Sequence, residues 1–226
     1  MVARVTPPEA VLLDAGGVLL LPNPWAIASV LRAAGGTIDI DSVRRAHYAG
    51  TAAMDAARDR DWRRYHRVLI RFAGVPEPRA ADAMAGLAEI YTAPATTLWN
   101  TVPEGVVEQL RDLAATGVAI AVVSNSDGTV EAALRRCEIS FDIVIDSGVV
   151  GFAKPAPEIF AFALEKLGVA ADNAVHVGDT ARADVDGAHA AGVRPLHLDP
   201  FGDCPDPAGH HEHVRSLADV VAMVVG

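Results

Sequence analysis

Five side chains carry the chemistry this sequence offers: Asp14, Ser124, Lys154, Asp179 and Asp184. Asp14 closes the apolar run Ala10–Leu13 and is followed at once by Ala15, Gly16 and Gly17. A carboxylate at the tip of a hydrophobic strand costs free energy unless something there uses it. Ser124 closes a second apolar run, "VAIAVVSN". Lys154 sits in "GFAKPAPEIF", and Asp179 and Asp184 sit in "HVGDTARADVDGAHAAG". Brought to one place, a nucleophilic carboxylate, a hydroxyl, an ammonium and two further carboxylates suit phosphoryl transfer. Asp14 would attack phosphorus, Ser124 and Lys154 would meet phosphate oxygens, and a divalent cation would sit between Asp14 and Asp179. Taken alone, Asp14 is better explained as a cap on a strand-to-loop turn. The other four groups shift the balance towards chemistry.

Those residues need a scaffold that gathers strand ends. Short apolar runs at Ala10–Leu13, Ala119–Val123, Ile143–Ile145, Ala174–Val177 and Leu196–Leu198 predict buried strands. Helical segments are expected at Glu104–Ala115, Val130–Cys137, Glu158–Leu167 and Asp184–Ala191. Gly117, Gly168 and Gly192 act as stop signals after three of them. This alternation predicts an α/β fold, a doubly wound parallel sheet with right-handed crossovers. In such sheets ligands bind at the carboxyl ends of the strands, where the five side chains fall.

The interval Pro24–Leu98 is too long for one crossover. Its helical stretches, Trp25–Ala34, Asp41–Arg58, Trp62–Phe72 and Arg79–Tyr91, are broken at Gly35-Gly36, Asp59–Asp61 and Gly74–Pro78. We expect a core of residues 1–22 and 99–226 with a helical cap, residues 23–98, inserted after the first strand. Asp199–His213 is expected to be an irregular loop before a last helix at Val214–Val225.

Taken in order, four motifs resemble the haloacid dehalogenase (HAD) superfamily: Asp14-Ala15-Gly16-Gly17-Val18, the strand ending at Ser124, Lys154-Pro155, and Gly178-Asp179 with Asp184. The resemblance spans Val11 to Gly192 and implies an inserted cap, magnesium (Mg2+) as cofactor and an aspartyl-phosphate on Asp14. It implies that Asp14, Asp179 and the main-chain carbonyl of Gly16 hold the metal. Ser124, Gly17 and the Asn125 N–H would border the phosphoryl group. Lys154 would neutralise charge, with Asp184 supporting Lys154 or the metal's waters.

The departure lies at Gly16. Phosphatases of the superfamily place a second aspartate there, which protonates the leaving alcohol. General acid–base catalysis contributes about 10²–10⁴ in rate. Four alternatives follow. A dehalogenase would need no metal, yet this chain has the Gly-Asp metal motif that those members lack. A phosphonatase fits the small residue but needs a cap lysine. The only lysines are Lys154 and Lys166, both outside the cap. A phosphatase would take its acid from elsewhere, with cap histidines His47 and His66 reaching in, or act on acyl or aryl phosphates that need little protonation; His66 and the neighbouring Arg63 would also meet an anionic substrate. A phospho-ligand-binding module would keep the site without turnover.

The remaining features bound the partners. The net charge of −10 disfavours nucleic acid. Two cysteines, Cys137 and Cys204, make no disulfide framework. No run reaches the roughly 20 apolar residues of a membrane span, and "MVARVTPPEA" lacks a signal-peptide core. We expect a soluble cytoplasmic monomer or homodimer with a small phosphorylated substrate. His176 is expected to be a core histidine. The run His210-His211-Glu212-His213 offers transition-metal ligands but is expected to be a solvated helix start.

Overall fold

A computed structural model describes residues 7–58, 61–205 and 211–226. Asp59, Arg60 and His210, named above in a helix break and a histidine run, lie outside them. The chain opens with β1 (Ala10–Leu13) and the short β2 (Leu21–Pro22). Helices α1 (Pro24–Ala33), α2 (Ile40–Ala57), α3 (Trp62–Phe72), α4 (Ala80–Thr92) and α5 (Ala95–Leu98) follow. β3 (Trp99–Thr101) then leads into the alternating part: α6 (Val106–Ala115), β4 (Ala119–Ser124), α7 (Val130–Arg136), β5 (Val144–Asp146), α8 (Ser147–Val150) and α9 (Pro157–Leu167). β6 (Ala174–Gly178), α10 (Gly187–Ala190), β7 (Arg194–Leu198), β8 (Glu212–Val214) and α11 (Leu217–Val225) complete it.

The main sheet has the order β5-β4-β1-β6-β7-β8, with every neighbouring pair parallel. This is the doubly wound α/β arrangement that the alternation predicts. Both faces of the central strands are buried, which is why they read as apolar runs, interrupted only by His176 in β6. Val11 and Leu13 join Val122, Val175 and Val177 beneath α6, α7 and α11. Ala10 and Leu12 join Ala121 and Val123 beneath α9 and α10. β1 lies between β4 and β6; the chain runs outward through β4 and β5, then crosses back to β6 and outward through β7 and β8, so a crevice opens at the carboxyl end of β1.

The inserted helices bury their own cluster, including Ile27, Leu31, Tyr65, Leu69 and Leu87. Asn23, Asp39 and Asp61 cap α1, α2 and α3 by accepting main-chain N–H bonds. A Cβ on Gly50 would stand 2.4 Å from the Tyr65 ring, so this glycine sets how closely α2 meets α3. Entry to and exit from the insert are tied by the antiparallel pair β2–β3 and by the Asn23 N–H donating to Leu98 O at 2.7 Å. These strands are too short to show as periodic runs.

α2 also bonds across to the sheet part. Arg45 pairs with Asp203, the Tyr48 hydroxyl donates to Gly17 O at 2.7 Å, and Asp55 accepts the amides of Ala181 (2.7 Å) and Arg182 (3.3 Å).

The C-terminal part departs from expectation. Asp199–His213 is not irregular throughout: Glu212–Val214 is β8, parallel to β7. The last helix starts at Leu217, where Ser216 and Asp219 form a capping box. The stretch expected as a helix from Asp184 begins earlier as a wide π-helical turn, Ala181–Asp186, and narrows into α10. Among the described residues no helix is long and apolar enough to cross a membrane.

Candidate active site

A cavity of about 310 Å³ opens at the carboxyl ends of β1, β4 and β6. Asp14, Ser124, Asn125, Lys154 and Asp179 line it from the sheet, and His47, Thr51, Trp62 and Tyr91 from the inserted helices. β1 delivers Asp14, whose own N–H continues the β1–β6 ladder by donating to Val177 O at 2.9 Å. Its Oδ1 accepts the Ala15 N–H at 2.7 Å.

Lys154 is the pivot of the charges. Its Nζ lies 2.9 Å from Asp14 Oδ2 and 2.6 Å from Asp184 Oδ1, with its side chain only 1% exposed. Asn125 holds it there through the main chain: Asn125 Oδ1 accepts the Lys154 N–H (2.8 Å) and Nδ2 donates to Lys154 O (2.9 Å). The other bonds of Asp184 come from His176 Nε2 to Oδ1 (2.9 Å) and from the Thr180 N–H (3.1 Å) and Oγ1 (2.5 Å) to Oδ2. Asp184 therefore positions Lys154. His176 is in the core, as expected, but its ring serves this array.

Two glycines make room. A Cβ on Gly178 would stand 2.0 Å from Asp184 Cγ. Gly17, at φ +77°, would place one 2.2 Å from Asp179 Cγ. The Gly17 N–H donates to Leu20 O at 2.9 Å, so the residue contributes clearance for Asp179 and its amide is already engaged.

Charge in the cavity is unbalanced. Carboxylate oxygens of Asp14, Asp179 and Asp184 lie within 4.8 Å of one another, and all three residues are buried. Burial pushes the Asp179 carboxyl up to about 8, with the Asp184 charge adding and Lys154 opposing. Asp14 is raised to about 6, again by burial and against the pull of Lys154. Burial also penalises charge on Asp184, but Lys154 and the His176 hydrogen bond hold it well below the usual carboxylate range. A small divalent cation between Asp14 and Asp179 fits this donor set.

The Gly16 position is occupied in another way. A Cβ there would meet the Trp99 ring at 3.3 Å. The indole, delivered by β3, fills the direction in which a second aspartate would point. Beside it stands His47, with ring centroids 5.8 Å apart. His47 Nδ1 lies 2.7 Å from the Tyr65 hydroxyl and Nε2 lies 3.4 Å from Asp179 Oδ2. Burial lowers His47 to about 3, so its ring is neutral.

His66 and Arg63, expected to meet substrate, do not line the cavity. His66 is buried within the insert, 4.9 Å centroid to centroid from Tyr91, and Arg63 is exposed. No sequence signal links Trp99 to Gly16. Thr180 had a usable signal, standing four residues before Asp184.

The chain belongs to the haloacid dehalogenase-like hydrolases, whose family model matches residues 8–192. It is 37% identical over 126 residues to haloacid dehalogenase-like hydrolase domain-containing protein 3 of Mus musculus, covering 54% of this chain and 49% of that protein. It is 36% identical over 126 residues to the ribulose-1,5-bisphosphate 5-phosphatase of Halopiger xanaduensis, covering 54% and 52%. The chain thus spans about half the length of these curated relatives. Among solved structures, a HAD family hydrolase from Deinococcus radiodurans with bound phosphate and sodium shares 25% identity at a TM-score of 0.61, covering 97% of this chain and 98% of that one.

Proposed function

We propose that this hydrolase is a magnesium-dependent phosphatase that forms an aspartyl-phosphate on Asp14. Its substrates would be small phosphorylated metabolites whose leaving group needs little protonation, acyl and aryl phosphates above all. The observation that carries this is the buried Asp14–Lys154–Asp184 array, with Asp179 beside it and a cavity in front. Phosphatases among the relatives support the same class. Magnesium, held by Asp14, Asp179 and the Gly16 carbonyl, would offset phosphate charge.

The chain's own groups do the rest. An Asp14 carboxylate oxygen bonds to phosphorus, and the bond from phosphorus to the leaving oxygen breaks, its electron pair staying on that oxygen. Lys154, Ser124 and the Asn125 N–H hold the phosphoryl oxygens. Water then attacks phosphorus, the Asp14–phosphate bond breaks, and hydrogen phosphate and a proton depart. With Trp99 at the Gly16 position, an acyl or aryl leaving group departs as a stable anion. Met54, Trp62 and Trp99 give it apolar walls. Residues 23–98 act as the cap, opening for exchange and excluding water when closed.

The test is phosphate release from acetyl phosphate and p-nitrophenyl phosphate with and without magnesium. Turnover only with magnesium is expected. A folded protein that binds phosphate without turnover, or that releases chloride from 2-haloacids instead, overturns the proposal.

A pH profile of stability checks the charge balance. Folded Asp179 keeps its proton to about pH 8, whereas the unfolded chain gives it up near 3.8. The folded state therefore binds more protons in that window, and stability falls as pH rises. His47, His66 and His197, lowered to about 3, 4 and 4 by burial, act oppositely, but only below about 6.5. Between pH 7 and 8 the metal-free protein should lose stability, by at most about 1.4 kcal/mol per pH unit. Saturating magnesium should abolish the loss. A flat or rising metal-free melting temperature would count against it.

A further inference from the structure

Three histidines and a cysteine that the cavity does not use gather at the far edge of the sheet. His197 on β7 and His213 on β8 are register partners in a parallel pair, so both project from one face. Their ring centroids are 5.3 Å apart. His211, just before β8, places its ring 5.2 Å from His197 and 4.6 Å from His213. Cys204 is buried, and Asp199 fixes it by accepting the amides of Asp203 (2.8 Å) and Cys204 (3.1 Å). His197 Nδ1 lies 3.2 Å from His211 Nε2, and Cys204 Sγ lies 3.6 Å from that same nitrogen. One potential ligand atom from each of the four lies within 4.8 Å of the others.

We infer that His197, Cys204, His211 and His213 form a tetrahedral site for a zinc-class transition-metal ion, separate from the carboxylate cavity. Zinc–nitrogen bonds of about 2.0–2.1 Å and zinc–sulfur bonds of about 2.3 Å at tetrahedral angles put two nitrogens roughly 3.3 Å apart and nitrogen and sulfur roughly 3.6 Å apart. The spacings of 3.2 and 3.6 Å match. A thiolate with three imidazoles selects zinc over magnesium, which takes oxygen ligands.

The tautomer of His197 fits as well. Its Nε2 lies 3.3 Å from the Asp179 carbonyl, the partner to which its N–H donates. That leaves the Nδ1 lone pair facing the cluster, the way a metal-bound imidazole is usually held by a main-chain carbonyl. Metal here would fasten the β7–β8 connection and, through His197, brace the main chain of Asp179. The site stands whether or not the cavity hydrolyses phosphate.

The test uses the full chain without a histidine tag, stripped with a chelator and titrated with cobalt(II). One equivalent should give a thiolate-to-cobalt charge-transfer band with tetrahedral d–d bands, and zinc should displace it stoichiometrically. Cys204→Ser should remove the charge-transfer band, and His213→Gln should weaken zinc binding by about 100-fold or more. Asp179→Asn should leave the spectrum in place. Should Cys204→Ser fail to fold, His213→Gln carries the same decision. No charge-transfer band, zinc affinity unchanged in His213→Gln, or loss of the band in Asp179→Asn each overturns the site. A hydrogen-bonded His–His–Cys cluster without metal would then account for the spacings.

Discussion

Asp14→Asn is expected to lower phosphate release from acetyl phosphate and p-nitrophenyl phosphate by about 10⁴-fold or more, with the protein still folded. The amide has the shape of the carboxylate but no nucleophilic oxygen, and it would withdraw one ligand of the proposed metal. Stability should survive for a reason visible in the cavity. The folded protein already disfavours charge at Asp14, raising its carboxyl to about 6 by burial. A neutral amide relieves that penalty, while Lys154 keeps its 2.6 Å partner Asp184. A melting temperature at or above that of the unmodified protein, together with the lost turnover, is the expected pair of results. Activity within tenfold of the unmodified protein would remove Asp14 from the reaction.

Lys154→Met should fail on both counts. Lys154 is the shared counter-charge of two buried carboxylates. Removing one partner of a buried ion pair costs about 3–5 kcal/mol, because the survivors stay buried and unpaired. For a chain of this length each kcal/mol moves the melting temperature by about 2–4 °C, so a fall of roughly 10 °C is expected. Loss of a preorganised charge at the transferring phosphoryl group should lower turnover by about 10²–10³-fold. The two effects separate in the double variant Lys154→Met/Asp184→Asn. Neutralising Asp184 should return part of the stability and none of the activity. Unchanged melting in Lys154→Met would show that the carboxylates are balanced by something other than this ammonium.

What could be read in the sequence follows from burial. β1, β4 and β6 are buried on both faces and, His176 aside, apolar up to their carboxyl ends, so the polar residues ending them stand out, and Asp14, Ser124 and Asp179 come together because of it. Lys154 is legible from the Lys154-Pro155 step that precedes α9. What stayed hidden depends on contacts between distant segments. Trp99 fills the Gly16 direction only because β3 pairs with β2 across the whole insert. His47 and His66 both sit on helices of the insert. His47 lines the cavity from α2, while His66 packs against Tyr91 inside the insert, and no pattern along the chain tells the two apart. The Gly17 step looks like a phosphate-binding turn, yet it is shaped by Asp179, far along the chain. β8 is three residues at a sheet edge, two of them polar, and no apolar pattern announces it.

The bonds from α2 to the sheet part all hang on one continuous helix, from Arg45 through Tyr48 to Asp55. Ten residues of helix span about 15 Å. Points on so stiff a rod are not independent. Once one bond has formed, the others meet their partners at high effective concentration, and each alone is weak. If residues 23–98 move as the proposed cap, closure over the cavity would then be an all-or-none event, with half-closed arrangements sparsely populated. A ligand that favours any one of the contacts favours them all.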